Sequence, residues 1–148
     1  MKRPEVYVTR ILPSPGLEIL ERHCAVEVNR NEGVPTKADL IRKLAQRDGL
    51  LCLLTDKIDR EIMESAPNLS VISSYSVGYD HIDVAEATKR GIYVTYTPGV
   101  LTDATADFAW TLIMSVARRV VEADRYVRGG KWRIAWSPTM LVGGAVYG

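Results

Sequence analysis

Apolar residues gather in five short runs over the first hundred positions: EVYVTR (5–10), AVEVNR (25–30), GLLCLLT (49–55), LSVISSYS (69–76) and IYVTYT (92–97). All five have the β-rich composition of short strands. Between them the apolar positions fall at helical spacing. Ser14 followed by Pro15 reads as an N-cap and first helical residue ahead of Leu17, Ile19 and Leu20. Thr36 with Asp39 has the form of a capping box before Leu40, Ile41 and Leu44. Asp59 is placed to cap the EIMESA turn, and Asp83 with Glu86 to cap the next helix. That helix runs into Lys89, Arg90 and a terminating Gly91.

Strands alternating with helices in this way predict βαβ crossovers and a parallel sheet. The third run is nearly all Leu and suits a central strand covered on both faces. The second, with Val26 and Val28 between charged neighbours, suits an edge. The expected fold is α/β: a five-stranded, doubly wound parallel sheet of flavodoxin-like order. Ligands of such sheets bind beyond the carboxyl ends of the strands.

After Pro98 the pattern changes. Thr102 is expected to cap one long helix over 103–128, DATADFAWTLIMSVARRVVEADRYVR. Its first half is apolar almost all round, and such a helix must be buried on all sides. Either the present domain encloses it, or a second domain or second chain covers its other face. The stretch GGKWRIAWSPTMLVGGAVYG has no clear period and reads as an irregular connection. The expected organisation is one domain over 1–98, then a helix and the start of another over 99–148.

Composition narrows the function only by exclusion. Apolar residues make up 47%, charged residues 25%, and the formal net charge is +1, so nothing points to nucleic acid. The basic stretch RRVVEADRYVRGGKWR also holds Glu122 and Asp124 and reads as a solvated helix face. MKRPEVYV lacks the apolar core of a signal peptide, and FAWTLIMSVA is too short to cross a bilayer. A cytoplasmic protein is the expectation. Cys24 and Cys52 have no C-x-x-C partner or His cluster and read as buried free thiols rather than a disulfide or metal site.

The most informative turn is SVGYD, at the carboxyl end of the fourth run. Gly78 lets a ligand approach the main chain and gives access to positive φ. Consecutive N–H groups in such a turn bind anions without a charged side chain. Plain turn chemistry is the competing reading. His81 reads as a surface loop residue, and His23, beside Cys24, as a helix-end residue.

The stretch SVGYDHIDVAEATKRGIYVTYTPGVLTDATADFAWTLIMSVARR resembles the D-isomer-specific 2-hydroxyacid dehydrogenases, and within them the glyoxylate (hydroxypyruvate) reductase branch. The resemblance runs from the first strand to the last residue and is strongest from Val77 to Arg119. It implies hydride transfer between NAD or NADP and a small 2-oxo or 2-hydroxy acid. By the same resemblance, main-chain N–H groups of Val77 and Gly78 hold the substrate carboxylate. The loop around Leu53 and Leu54 lines the substrate pocket, and Thr105 lies near the cofactor. A long helix leading to a nicotinamide-binding domain would explain the apolar 102–125 segment, through which a homodimer is expected.

Family members often carry Asn where this chain has His81 and Tyr96. The dinucleotide fingerprint G-x-G-x-x-G is absent, and Gly143-Gly144 does not supply it, having no preceding strand or following helix. The family's catalytic Arg, Glu and His find no counterpart in these residues, so no catalytic residue is assigned. The expectation is the front portion of such an oxidoreductase, inactive alone. The alternative is a non-catalytic flavodoxin-like module that binds a small carboxylate or a protein partner. A phosphorylation receiver shares the sheet order, and Asp56 follows the third strand, but Thr9-Arg10 replace the acidic pair such a switch needs.

Overall fold

The computed structural model describes residues 2–147. Each apolar run forms a strand: β1 Glu5–Val8, β2 Ala25–Val28, β3 Gly49–Cys52, β4 Val71–Ser74 and β5 Tyr93–Thr95. Every strand stops short of its apolar run at the carboxyl end. The residues released there, Thr9-Arg10, Leu53–Thr55 and Tyr75-Ser76 among them, become the loops beyond the sheet. Helices α1 Ser14–His23, α2 Lys37–Leu44, α3 Arg60–Glu64 and α4 Val84–Lys89 connect the strands. All pairings are parallel and the order is β2-β1-β3-β4-β5, the flavodoxin-like sheet with β2 at an edge and β3 at the centre.

The caps follow the sequence at three helices and depart from it at two. Thr36 and Asp39 form a complete capping box on α2. Asp59 accepts from the N–H of Ile62, and Asp83 from that of Glu86. The Glu86 side chain turns instead to Arg90, 2.7 Å away. Gly91 ends α4 at φ +70°, a left-handed position that suits glycine. Ser14, however, is already helical: Pro13 takes the cap position with no side-chain bond. Thr102 is likewise inside its helix, with Leu101 at the cap.

One face of the sheet carries the core. Tyr7, Leu50, Cys52 and Ile72 pack with Leu40 and Leu44 of α2, Ile62 and Met63 of α3, and Ala87 of α4. Each fully buried Leu or Ile contributes about 1.5–3 kcal/mol. The other face is only partly covered. No residue of α1 is buried, and an apolar depression of about 410 Å³ lies among Val6, Leu20, Cys24, Leu51 and Val71. Coverage of β3 on both faces is therefore incomplete, and Cys24 is half-buried where a buried thiol was expected.

The chain divides into two compact units, the first ending at Val100 and the second beginning at Leu101. In the second unit the single long helix does not form. It is two helices, α5 Thr102–Ala117 and α6 Val120–Arg128, parted where Arg119 adopts φ 54°, ψ 36°. That left-handed residue interrupts the helical hydrogen-bond ladder. The side chain of Arg119 then pairs with Glu122 of the new helix. The freed carbonyl of Ala117 accepts the N–H of Gly144 at 2.7 Å. Among the described residues nothing buries any residue of α5; Phe108 is 65% and Val116 79% exposed.

Candidate functional site

The loops after β3 and β4 are the candidate site. Beyond Cys52 the chain folds into a tight turn built on Asp56. The N–H of Asp56 donates to the carbonyl of Leu53 at 3.0 Å, and the N–H of Leu53 returns a bond to Asp56 Oδ2 at 2.9 Å. The same oxygen takes the hydroxyl proton of Thr9 at 2.5 Å, so the end of β1 is tied to this loop. Asp56 Oδ1 has no hydrogen-bond donor in good geometry; the Arg10 guanidinium, 3.3 Å away, supplies opposite charge instead. Arg10 and Asn29 also converge on the Thr9 carbonyl, at 2.7 and 3.2 Å.

Leu53, half-buried, thus has its N–H and its carbonyl engaged within the loop. What it offers a ligand is its apolar side chain, and its neighbour Leu54 is 66% exposed. Asp56 is fully buried with one oxygen already holding two donors, so it is not presented to solvent as a phosphoryl acceptor.

The SVGYD turn is held from below. The Ser76 carbonyl accepts both the N–H and the hydroxyl of Thr97, each at 3.0 Å, and the N–H of Tyr75 donates to the carbonyl of Cys52 at 2.8 Å. Ser76 donates its hydroxyl to the carbonyl of Gly78 at 2.6 Å. The Tyr79 and Tyr96 rings meet edge to face with centroids 5.0 Å apart, bracing the turn against the end of β5.

Above these ties the N–H groups of Val77, Gly78 and Tyr79 have no acceptor among the described residues. Val77 and Gly78 are exposed. A trans peptide sets its C=O and N–H on opposite sides, so drawing the Gly78 carbonyl toward Ser76 turns the Tyr79 N–H away from it. Sequence reasoning named Val77 and Gly78; the Tyr79 N–H follows only from that side-chain bond. Gly78 does not have positive φ. A Cβ there would sit 3.5 Å from Asp80 Oδ2, ordinary contact, so the glycine is not required for backbone conformation.

The two loops are joined directly. An isolated parallel bridge pairs Ile58 with Ile82: the N–H of Ile58 donates to the His81 carbonyl at 2.8 Å, and that of Asp83 to the Ile58 carbonyl at 2.9 Å. Leu53, Val77 and Gly78 therefore belong to one bonded loop system. His81 is no free surface residue. It is half-buried with Nε2 2.9 Å from Ser74 Oγ, and burial holds its pKa below 6.5 against the opposing charges of Asp56 and Asp80. Thr105 is exposed in the first turn of α5, in the second unit.

The Cys52 thiol is pushed up to about 12, chiefly by burial and then by the Asp56 charge, and is inert at neutral pH. His23 is the last residue of α1, and no group of three His, Cys, Asp or Glu among the described residues could hold a metal ion. No helix among them is long and apolar enough to cross a membrane.

The exposed main-chain donors lie beyond the carboxyl edge of a 2-1-3-4-5 sheet, and the chain carrying them matches known proteins. Residues 6–139 fit the family model described as D-isomer specific 2-hydroxyacid dehydrogenase, catalytic domain. The chain belongs to this family. A glyoxylate reductase of Thermofilum pendens is 58% identical over 144 residues, covering 97% of this chain and 42% of the relative. A crystal structure from Thermus thermophilus superposes with a TM-score of 0.87 at 49% identity, covering 95% of this chain and 45% of that one. An NADPH-dependent glyoxylate/hydroxypyruvate reductase of Sinorhizobium meliloti, solved with NADP and malonate, gives 0.70 at 28% identity over 93% and 43% of the two chains. The chain spans less than half the length of these relatives.

Proposed function

We propose that this chain supplies the substrate-carboxylate site of an oxidoreductase that moves a hydride between NADH or NADPH and a small 2-oxo acid such as glyoxylate or hydroxypyruvate. The observation that carries the reading is that the main-chain N–H groups from Val77 to His81 have no acceptor among the described residues, with those of Val77, Gly78 and Tyr79 in the exposed turn itself. A carboxylate bound there takes charge-assisted hydrogen bonds that need no cationic side chain. The names of the relatives support the substrate class, and the malonate in the Sinorhizobium structure is itself a carboxylate.

In this reading Val77, Gly78 and Tyr79 bind and orient the acid, while Leu53 and Leu54 form an apolar wall beside it. Thr105 is the one residue we assign to the cofactor. Among the described residues the second unit has no strand leading through a glycine-rich turn into a helix, the arrangement that cradles a dinucleotide. Gly143 and Gly144 are nearest to it, and they pack on the carboxyl end of α5. No hydride step is therefore drawn through this chain. The nicotinamide site and the acid that protonates the product belong, on this proposal, to a further domain, and the apolar face of α5 to a homodimer.

Titrating the isotope-labelled 148-residue chain with malonate should move the amide signals of Val77, Gly78 and Tyr79 before any others. Gly78→Ala should fold unchanged, because its Cβ meets only ordinary contact. It should weaken malonate about ten- to 150-fold if the methyl obstructs one charge-assisted bond worth about 1.5–3 kcal/mol. Amide shifts scattered over the surface, or no saturable shift at Val77, Gly78 and Tyr79, would refute the site. The purified chain alone should not oxidise NADH or NADPH with glyoxylate; turnover that survives controls for host enzyme contradicts the assignment of hydride chemistry elsewhere.

A further inference from the structure

Beneath the turn three side chains stand in line. Ser76 Oγ is 2.6 Å from the Gly78 carbonyl oxygen, Ser74 Oγ is 2.5 Å from Ser76 Oγ, and His81 Nε2 is 2.9 Å from Ser74 Oγ. A hydroxyl has a single proton to give, and a carbonyl can only accept. The Ser76 proton is committed to Gly78, so Ser76 must accept from Ser74. The Ser74 proton is then committed as well, so Ser74 must accept from His81 Nε2–H. The direction of every bond follows from the carbonyl at one end.

We infer that His81, as the Nε2–H tautomer, heads a one-way hydrogen-bond chain through Ser74 and Ser76 to the Gly78 carbonyl, and is thereby a positioning residue for the carboxylate site. The inference rests on the carboxylate reading above. Ser74 and Ser76 are only 1% and 7% exposed, so water does not readily replace a missing donor. Loss of the first donor frees the Ser74 and Ser76 protons to reverse. The Gly78 carbonyl then loses its anchor, and with it the Tyr79 N–H loses its fixed direction. Protonating His81, which Asp56 and Asp80 face, leaves Nε2–H in place, so the chain persists in acid.

Two measurements on the 148-residue protein test this. Nitrogen-15 spectroscopy of the His81 ring near pH 8 should show Nε2 protonated and Nδ1 bare; the Nδ1–H tautomer overturns the chain whatever malonate does. Malonate titration at the Val77 and Gly78 amides then compares wild type with His81→Leu, which has no donor, and His81→Gln, whose amide N–H reaches the position of Nε2 and can donate. His81→Leu should bind about tenfold more weakly, the worth of one hydrogen bond, with His81→Gln recovering most of the loss. If His81→Leu does not fold, Ser76→Ala takes its place and should show the same weakening. Wild-type affinity in a folded donor-less variant overturns the positioning role. If wild type itself fails to bind malonate there, the carboxylate reading falls, and the ring tautomer still decides the direction of the chain.

Discussion

Asp56 and His81 stand one on each of the two bridged loops, and neither role follows from residue type. Asp56 is a buried carboxylate whose work is internal: it closes the Leu53 loop and takes the Thr9 hydroxyl. The reading of a phosphorylation receiver, suggested by an Asp after β3, is incompatible with that burial. His81 carries a pH signature. Burial sets its folded pKa below the ordinary 6.5, so between those two values the unfolded chain binds more protons than the folded one. Its contribution to stability is complete above about pH 6.5 and is lost as pH falls through the folded value. Denaturation midpoints at pH 7.5 and 5.5 should therefore differ more in wild type than in His81→Asn. Equal differences would show that His81 titrates alike in both states.

Helix ends were legible where a side chain alone makes the cap and illegible where the backbone decides. Thr36-Asp39, Asp59 and Asp83 cap as their spacing predicts. Ser14 and Thr102 were misplaced by one residue, because Pro13 and Leu101 hold the entry conformation without a side-chain bond. The break between α5 and α6 was not legible, since an Arg-Arg pair has no helix-stopping chemistry and the left-handed Arg119 reports its surroundings. The glycine pair near the end of the chain belongs to that break. A Cβ on Gly143 would lie 2.4 Å from the Ala117 carbonyl oxygen and 2.9 Å from the Arg118 Cα. Both are main-chain atoms, so something must shift, at about 1–3 kcal/mol. Gly143→Ala should speed hydrogen exchange of the Gly144 amide by about tenfold or more. Unchanged exchange would mean that the contact carries no strain.

At the scale of the molecule the two units differ in kind. The first has a closed core on one face of its sheet, whereas the second shows Phe108, Trp110, Leu112 and Ile113 each more than half exposed. Monomeric proteins rarely leave such contiguous apolar surface uncovered. We therefore expect the chain to self-associate through 102–125, and sedimentation should give an average mass that rises with concentration. Trp110→Asp with Ile113→Asp should return it to monomer. A clean monomer at every concentration in the unmodified chain would remove the homodimer from the proposal.

Strand number, helix alternation and sheet order could be read from sequence, because period-2 and period-3.6 patterns and side-chain caps are local properties of neighbouring residues. The position of the SVGYD turn at the carboxyl end of a strand could be read too, since it follows the fourth apolar run directly. Where each strand ends, which face of β3 is covered, and where α5 breaks depended on contacts between segments far apart in the chain. So did the direction of the Tyr79 N–H and the part played by His81. Both come from Ser74, Ser76 and Gly78 meeting at hydrogen-bond distance, and a proton can be assigned to a donor only once its partners are in place.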